Sequence, residues 1–531
     1  MAGSAILVAG AASGAGKSTV TSALCRALAH RGVDVVPFKG QNMSNHSAVT
    51  PDGGEIGRAQ AMQALAARVE TDRRMGPVLL KPSGGRSHVV VLGDEVAVDD
   101  AVSYGDRART LRPLVLDALT GLRREHQLVV MEGAGGAAEP NLLDRDVVNL
   151  PLAAAAGVPA VLVVDIDRGG AFASAYGTWA LLPERLRRQL RGVVLNGMRG
   201  DVSLLDPAIE DLERRTGMPV LGVLPHLGEH LMLGVEDSLD LEAPGRPSPE
   251  EGWFADRPVR VAAIRLPHLA NPSDLDPLAL EPSVELRWAT RPGDLSDVDL
   301  VVVPGTRATV ADLGWLRERG LDRTLQRLVE NPVGPHVLGI CGGYQMLGTT
   351  IEDDVESGAG TVPGLGLLPV ETTFRTPKVV RRDVGRTTGR SGLTAKGYQV
   401  RLGRTRLLEG EAWLELADGT SDGTPDGPGD EAAVAAGAVR SWTPEGCLRD
   451  DRRVRGTSLH GVLDSDELRR ALLGAVAAVR GRTFVPTTRP YAQALEDHLD
   501  HLADWVEDHL DLDAVLALAA TAHDPEDPPG W

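Results

Sequence analysis

Two places in this sequence carry residues that could do chemistry: a cysteine set among glycines, and a lysine closing a glycine-rich turn. In GICGGYQMLG (339–348), Cys341 directly follows the apolar run HVLGI, so its thiol is expected at a strand-to-helix turn, exposed as a nucleophile rather than used as core filling. Small neighbours permit so sharp a turn, and a helix beginning there lowers the thiol pKa. Such a thiol needs a general base, which His460 in GTSLHGVLD (456–464) can supply. PGT (304–306) ends a preceding strand-like run, so the backbone N–H groups of Gly305 and Gly342 are candidates for an oxyanion hole. Cys25 and Cys447 lack such surroundings and read as small core residues.

The lysine lies in GAASGAGKST (10–19). Gly10, Ser13, Gly14 and Gly16 would let backbone N–H groups converge on phosphate oxygens, and the helix that follows adds its positive end. Lys17 would neutralise the β- and γ-phosphates of ATP, and Ser18 or Thr19 would hold Mg²⁺. The spacing is unusual: the position five before Gly16 is Ala11, and the glycine stands one earlier, at Gly10. Carboxylates that could face the metal are Glu55, in GGEIGRAQ, and Glu132, in VVMEGAGG. Glu132 is the stronger of the two, because it ends an apolar strand and precedes a glycine run. Asp165 and Asp167, in VVDIDRGG, share the strand-end placement.

These residues need a frame that presents strand ends. SAILVAG (4–10), a helix from about Lys17 to His30, VDVVPF (33–38), QLVVM (127–131), PAVLVVD (159–165) and GVVLN (192–196) alternate as in a parallel sheet buried on both faces. A second set follows: VRVAAIRL (258–265), VELRWAT (284–290), LVVVPG (300–305) and HVLGIC (336–341). The expected fold class is therefore α/β. It has a phosphate-loop domain at 1–240, a proline- and glycine-rich linker at 241–257, a second α/β domain at 258–484, and a helical tail at 485–531. In that tail Leu495, Leu499, Leu502, Trp505, Val506 and Leu510 recur at helical spacing. The run 417–433 is polar and of low complexity, as expected of a surface loop.

A chain of 531 residues is too long for one core. Its formal charge of −19 argues against non-specific binding to nucleic acid or to anionic membrane. Three widely spaced cysteines form neither a disulfide framework nor a zinc site, and suit a cytoplasmic protein. The apolar region Leu150 to Val164 is broken by Pro151, Gly157 and Pro159, and so reads as a helix turning into a buried strand rather than a membrane span.

The second half resembles the class I glutamine amidotransferases, and the first half resembles the dethiobiotin-synthetase-like ATPases. Fused in this order, they resemble the adenosylcobyric acid synthase family of corrinoid biosynthesis. The resemblance is carried by FKGQNMSNHS (38–47), GGEIGRAQAMQA (53–64), VLLKP (78–82), EGAGGAAEPNL (132–142), DIDRGGAFA (165–173) and LNGMRGD (195–201). PGTRATVADL (304–313), GICGGYQMLG and GTSLHG complete it. It implies ATP- and glutamine-dependent amidation of the b, d, e and g carboxylates of adenosylcobyrinic acid a,c-diamide, with ATP and Mg²⁺ as cofactors and L-glutamine as the nitrogen source. In that setting Gln41, Asn42, Asp165, Asp167 and Arg168 become candidates for binding the corrinoid.

Some positions depart from the pattern. Val462 stands where class I domains often carry the glutamate that orients the histidine, which leaves the orienter of His460 open. Gln399 and Arg401, in GYQVRLG (397–403), replace an acid and a histidine. Two further readings compete: a cobyrinic acid a,c-diamide synthase, and a non-catalytic scaffold with a degenerate nucleotide switch.

Overall fold

The computed structural model describes residues 3–83, 86–228, 257–418 and 441–523. Most of the expected linker and of the polar run 417–433 lies outside these residues. The chain divides into two compact units, one of Met1–Ser44, Ile56–Asp237 and Leu495–Trp531, the other of Asn45–Glu55 and Ser238–Ala494.

The first unit is built on six parallel strands: β1 (Ser4–Gly10), β2 (Val35–Phe38), β3 (Leu128–Glu132), β4 (Ala160–Asp165), β5 (Leu190–Met198) and β6 (Val220–Pro225). Their order across the sheet is β6-β5-β4-β1-β3-β2. β1 and β3 are uninterrupted apolar runs that are buried almost throughout, because helices cover both faces of a parallel sheet. Register aligns Gly10 with Val163 and Val8 with Glu132, so the carboxyl ends of β1, β3 and β4 open side by side. Ligands of such sheets bind at that edge. The helix Lys17–His30 starts there, over the residues expected.

The tail belongs to this unit. It forms two helices, Tyr491–His509 and Leu512–Ala519, rather than one. Leu499, Leu502, Trp505, Val506 and Leu510 pack in the same core as Ile6, Val8, Val20 and Leu24. Arg26 is fully buried beneath the tail, and its Nε donates to Asp500 Oδ1 at 2.6 Å. A buried guanidinium left without its carboxylates would be strongly destabilising, so the tail's acids are part of the design.

The second unit has its own sheet: β7 (Val259–Ile264), β8 (Val284–Ala289), β9 (Leu300–Val303), β10 (His336–Ile340), β11 (Cys447–Leu448) and β12 (Val454–Thr457). The order is β8-β7-β9-β10-β12-β11, parallel except for β11. Two long antiparallel strands, Val370–Thr387 and Thr394–Leu407, belong to another sheet of this unit. Their charged stretch VVRRDVGRT hides the alternation, since much of the pair is only half-buried. The early segment Asn45–Glu55 also groups with this unit. Among the described residues no helix is long and apolar enough to cross a membrane.

Leu502 is fully buried in the tail's contact with the first core. Leu502→Ala should lower the unfolding free energy by about 2–5 kcal/mol, read by denaturant titration. A loss below about 1 kcal/mol would show that the tail does not share that core.

Candidate active site

Cys341 follows β10 with φ 50 and ψ −110, a conformation that non-glycine residues rarely adopt, and opens the short helix Gly342–Leu347. The turn is forced by close approach. A Cβ on Gly343 would lie 1.9 Å from the Val303 carbonyl oxygen, so β9 and this helix meet at a distance only glycine allows. Contrary to expectation, the thiol is not exposed: Cys341 is buried, because it lies in the same apolar cluster as Ile340, Leu459 and Val462.

β12 runs beside β10, pairing Ile340 with Thr457, and the Cys341 N–H donates to the Thr457 carbonyl at 2.8 Å. His460 therefore emerges next to Cys341, close enough for each to shift the other's pKa. The Tyr398 ring stacks on the imidazole with centroids 5.4 Å apart, and backbone bonds between Tyr398 and His460 run in both directions at 2.9 and 3.0 Å. The orienter that the sequence left open is Asp274. Its Oδ2 lies 2.7 Å from His460 Nδ1, and its Oδ1 accepts from the Gly461 N–H at 2.8 Å.

Burial alone would lower the His460 pKa, but the Asp274 carboxylate and the Cys341 sulfur outweigh it and push it up to about 10. Burial would raise the thiol, yet its pKa is lowered by His460, with help from Arg401. The two shifts run in opposite directions and both favour the thiolate–imidazolium form of the pair. Arg401 also donates to Gln399 Oε1 at 2.6 Å, and Gln399 Nε2 donates to Asp383 at 2.8 Å. The two departures from the family pattern thus bond each other. Burial pushes the pKa of Cys447 up to about 12 and that of Cys25 further still, which leaves both as neutral core thiols.

Gly305 and Gly342 flank this turn. A Cβ on Gly305 would stand 2.7 Å from His460 Cε1, and one on Gly342 would stand 3.0 Å from the Thr306 N.

In the first unit the phosphate loop links Gly10 to the helix at Lys17. Gly16, at φ 90, caps that helix where a Cβ would meet Asn196 Nδ2 at 2.2 Å. Lys17 Nζ curls onto the carbonyls of Ala12 and Ser13 at 3.0 and 2.9 Å. The Ser18 hydroxyl donates to Glu132 Oε1 at 2.7 Å, and Lys39 Nζ donates to the same oxygen at 3.0 Å. Gln63 donates to Glu132 Oε2. Burial would raise the Glu132 carboxyl, but Lys39 and the bonds from Ser18 and Gln63 hold it below the ordinary value, so it stays ionised. Sequence reasoning missed Lys39 and Gln63. The signal for Lys39 was a lysine ending the buried strand β2, which demands a carboxylate.

The other candidates separate. Glu55 falls in the second unit, where its oxygens take Ser47 Oγ at 2.7 Å and Lys378 Nζ at 2.6 Å. Gln41 accepts from the Tyr104 hydroxyl. Asn42 is buried and bonds Gln60 at 2.9 Å. Asp165 accepts from the Asp167 N–H, Asp167 pairs with Arg199, and Arg168 stands beside Gly14 of the phosphate loop.

Residues 6–229 match a family described as the CobQ/CobB/MinD/ParA nucleotide binding domain, and residues 260–468 match the CobB/CobQ-like glutamine amidotransferase domain. A protein of Frankia casuarinae named cobyric acid synthase is 47% identical over 99% of both chains. Others of the same name come from Nocardia farcinica, 48% identical over 96% of both chains, and Salmonella arizonae, 41% identical over 98% of this chain and 99% of that one.

His460→Ala removes the main group that lowers the Cys341 pKa. Iodoacetamide labelling of Cys341, which rises with pH as thiolate forms, should then shift its inflection from below the ordinary thiol value of 9.0 to above it. An unchanged labelling profile would contradict the pairing.

Proposed function

The chain belongs to the cobyric acid synthase family, and we propose that its two sites make the two partners of one amide bond. The amidotransferase site releases ammonia from L-glutamine, and the phosphate-loop site activates a corrinoid carboxylate with ATP. The observation that carries this reading is the Cys341–His460–Asp274 relay on the same chain as a phosphate loop whose serine meets a buried, ionised glutamate.

At the first site the Cys341 thiolate attacks the side-chain amide carbon of glutamine. The N–H groups of Gly305 and Gly342 face the oxyanion that forms. The His460 imidazolium gives its proton to the leaving nitrogen, and Asp274 holds the ring in the required orientation throughout. Ammonia leaves and a thioester remains. Water then attacks the thioester, His460 takes up its proton, and glutamate departs.

At the second site a carboxylate oxygen of the corrinoid attacks the γ-phosphorus of ATP, ADP leaves, and an acyl phosphate forms. Ammonia attacks the acyl carbon, phosphate departs with the carboxylate's oxygen, and a primary amide remains. The activation is needed because a carboxylate does not react with an amine until its oxygen can leave. Gly10, Ser13, Gly14, Gly16 and Lys17 grip the polyphosphate, with Thr19 in the first turn of the helix. Hard oxygen donors suit Mg²⁺, which takes one or two protein ligands beside phosphates. Ser18 and Glu132 fit, and the ion would neutralise charge on the phosphates. Asp165, Asp167 and Arg168 line the same strand edge as corrinoid contacts.

The substrate is adenosylcobyrinic acid a,c-diamide, amidated at b, d, e and g to give adenosylcobyric acid. This choice rests on the family rather than on a residue. The scaffold reading loses one of its two motives, since Asp274 supplies the acid that Val462 lacks; the unusual spacing of the phosphate loop is the other.

Cys341→Ala should abolish glutamine-supported amidation, by more than about 10³-fold, while ammonium-supported amidation stays within about threefold of the parent. Loss of both in a folded protein would contradict the division of labour.

A further inference from the structure

Asp274, which orients His460, sits on a four-residue 3-10 helix, Pro272–Leu275. So short an element cannot hold its own direction. What directs it is Asn271, the residue that caps it in the left-handed region at φ 50 and ψ 57. Asparagine tolerates that region but gains little from it unaided.

The buried bonds that hold Asn271 come from a distant part of the sequence. The Ser47 N–H donates to Asn271 Oδ1 at 2.8 Å, and the Asn271 N–H donates to His46 Nδ1 at 3.1 Å. His46, Ser47, Asn271 and Asp274 are each no more than 3% exposed. The segment carrying His46 and Ser47 is fixed in turn. Ser47 Oγ bonds Glu55, Glu55 pairs with Lys378, and Arg382 Nε donates to the Val49 carbonyl at 2.8 Å. Lys378 and Arg382 lie on the strand Val370–Thr387, paired with the strand that bears Tyr398, the ring stacked on His460.

We propose that His46, Ser47 and Asn271 are positioning residues for glutamine hydrolysis: the segment 45–55 braces Asn271 so that Asp274 meets His460 Nδ1. The proposal rests on the glutaminase reading above and adds His46 and Ser47, which lie outside the stretch 260–468 matched to the amidotransferase domain. It also gives the histidine and serine of QNMSNHS a task other than corrinoid contact. The brace is drawn from the phosphate-loop half of the sequence.

The test uses the full chain with His46→Ala, Asn271→Gly and His46→Asn. Asn271→Gly keeps the left-handed turn and removes only the side-chain acceptor. His46→Asn can place an oxygen where Nδ1 stands. For the first two, kcat of glutamine hydrolysis should fall about 10- to 100-fold, as expected for a misplacement near 1 Å, with KM for glutamine within about threefold. Cys341 alkylation at pH 7 should slow in parallel, ammonium-supported amidation should stay within about twofold, and His46→Asn should recover most of kcat. The proposal is overturned if kcat stays within about twofold of the parent in both variants. A loss shared equally by the ammonium-supported reaction, or an effect on KM alone, overturns it too. Cys341→Ala run alongside separates the cases: if it still hydrolyses glutamine, the underlying reading fails rather than the brace.

Discussion

Cys341 and His460 share a buried turn, and the rest of the second unit is arranged to draw the thiol's pKa down and the imidazole's up, so that the charged form of the pair is tolerable. Burying two ions costs several kcal/mol apiece unless each has a partner. Here every charge has one. Asp274 neutralises the far side of the imidazole and Arg401 adds positive potential at the sulfur. Tyr398 covers the ring with a flat apolar face. The glycines at 305 and 343 follow from the same requirement, since only backbone without a Cβ lets β9, β10 and His460 come so close. Asp274 in turn depends on the left-handed Asn271, so the constraint extends to residues far away in the sequence.

The first unit solves an analogous problem with the opposite sign. Glu132 ends a central strand with no exposure and is kept ionised by a lysine, a serine and a glutamine from three other elements. A carboxylate held that way is a fixed negative charge beside a loop built to receive phosphates. Both sites therefore sit at the carboxyl ends of parallel strands, where the chain turns outward and its side chains are free to converge. In each, the polar residue is supplied by a strand whose apolar run makes its end position predictable.

That regularity explains what could be read from the sequence. The strands at 4–10, 160–165, 259–264 and 336–340, and the helix from Lys17 to His30, are legible because continuous Val, Ile and Leu runs leave few alternatives. Cys341 and Glu132 could be picked out as candidates because each stands where such a run stops, whereas Lys17 opens the helix after a glycine loop and His460 follows the end of its strand. Asp274 could not be picked out, because it lies in the loop NPSDLDP among several equivalent acids, and its pairing is set only by the fold. Glu55 shows the same limit: its glycine-flanked setting suggests a metal ligand and gives no sign of its bond to Lys378, far along the chain. The long strands at 370–387 and 394–407 escaped because half-buried, arginine-rich strands carry no clean alternation.

Glutamine's nitrogen replaces the carboxylate oxygen that ATP's phosphoryl group carries away. A doubly labelled turnover, with amide-¹⁵N glutamine and a corrinoid whose carboxylates carry ¹⁸O, reads both halves of that exchange. Each new amide should hold ¹⁵N, and one ¹⁸O should appear in inorganic phosphate for every amide formed. Amide formation with ¹⁸O delivered to AMP, or with no ¹⁸O in phosphate, would contradict that exchange.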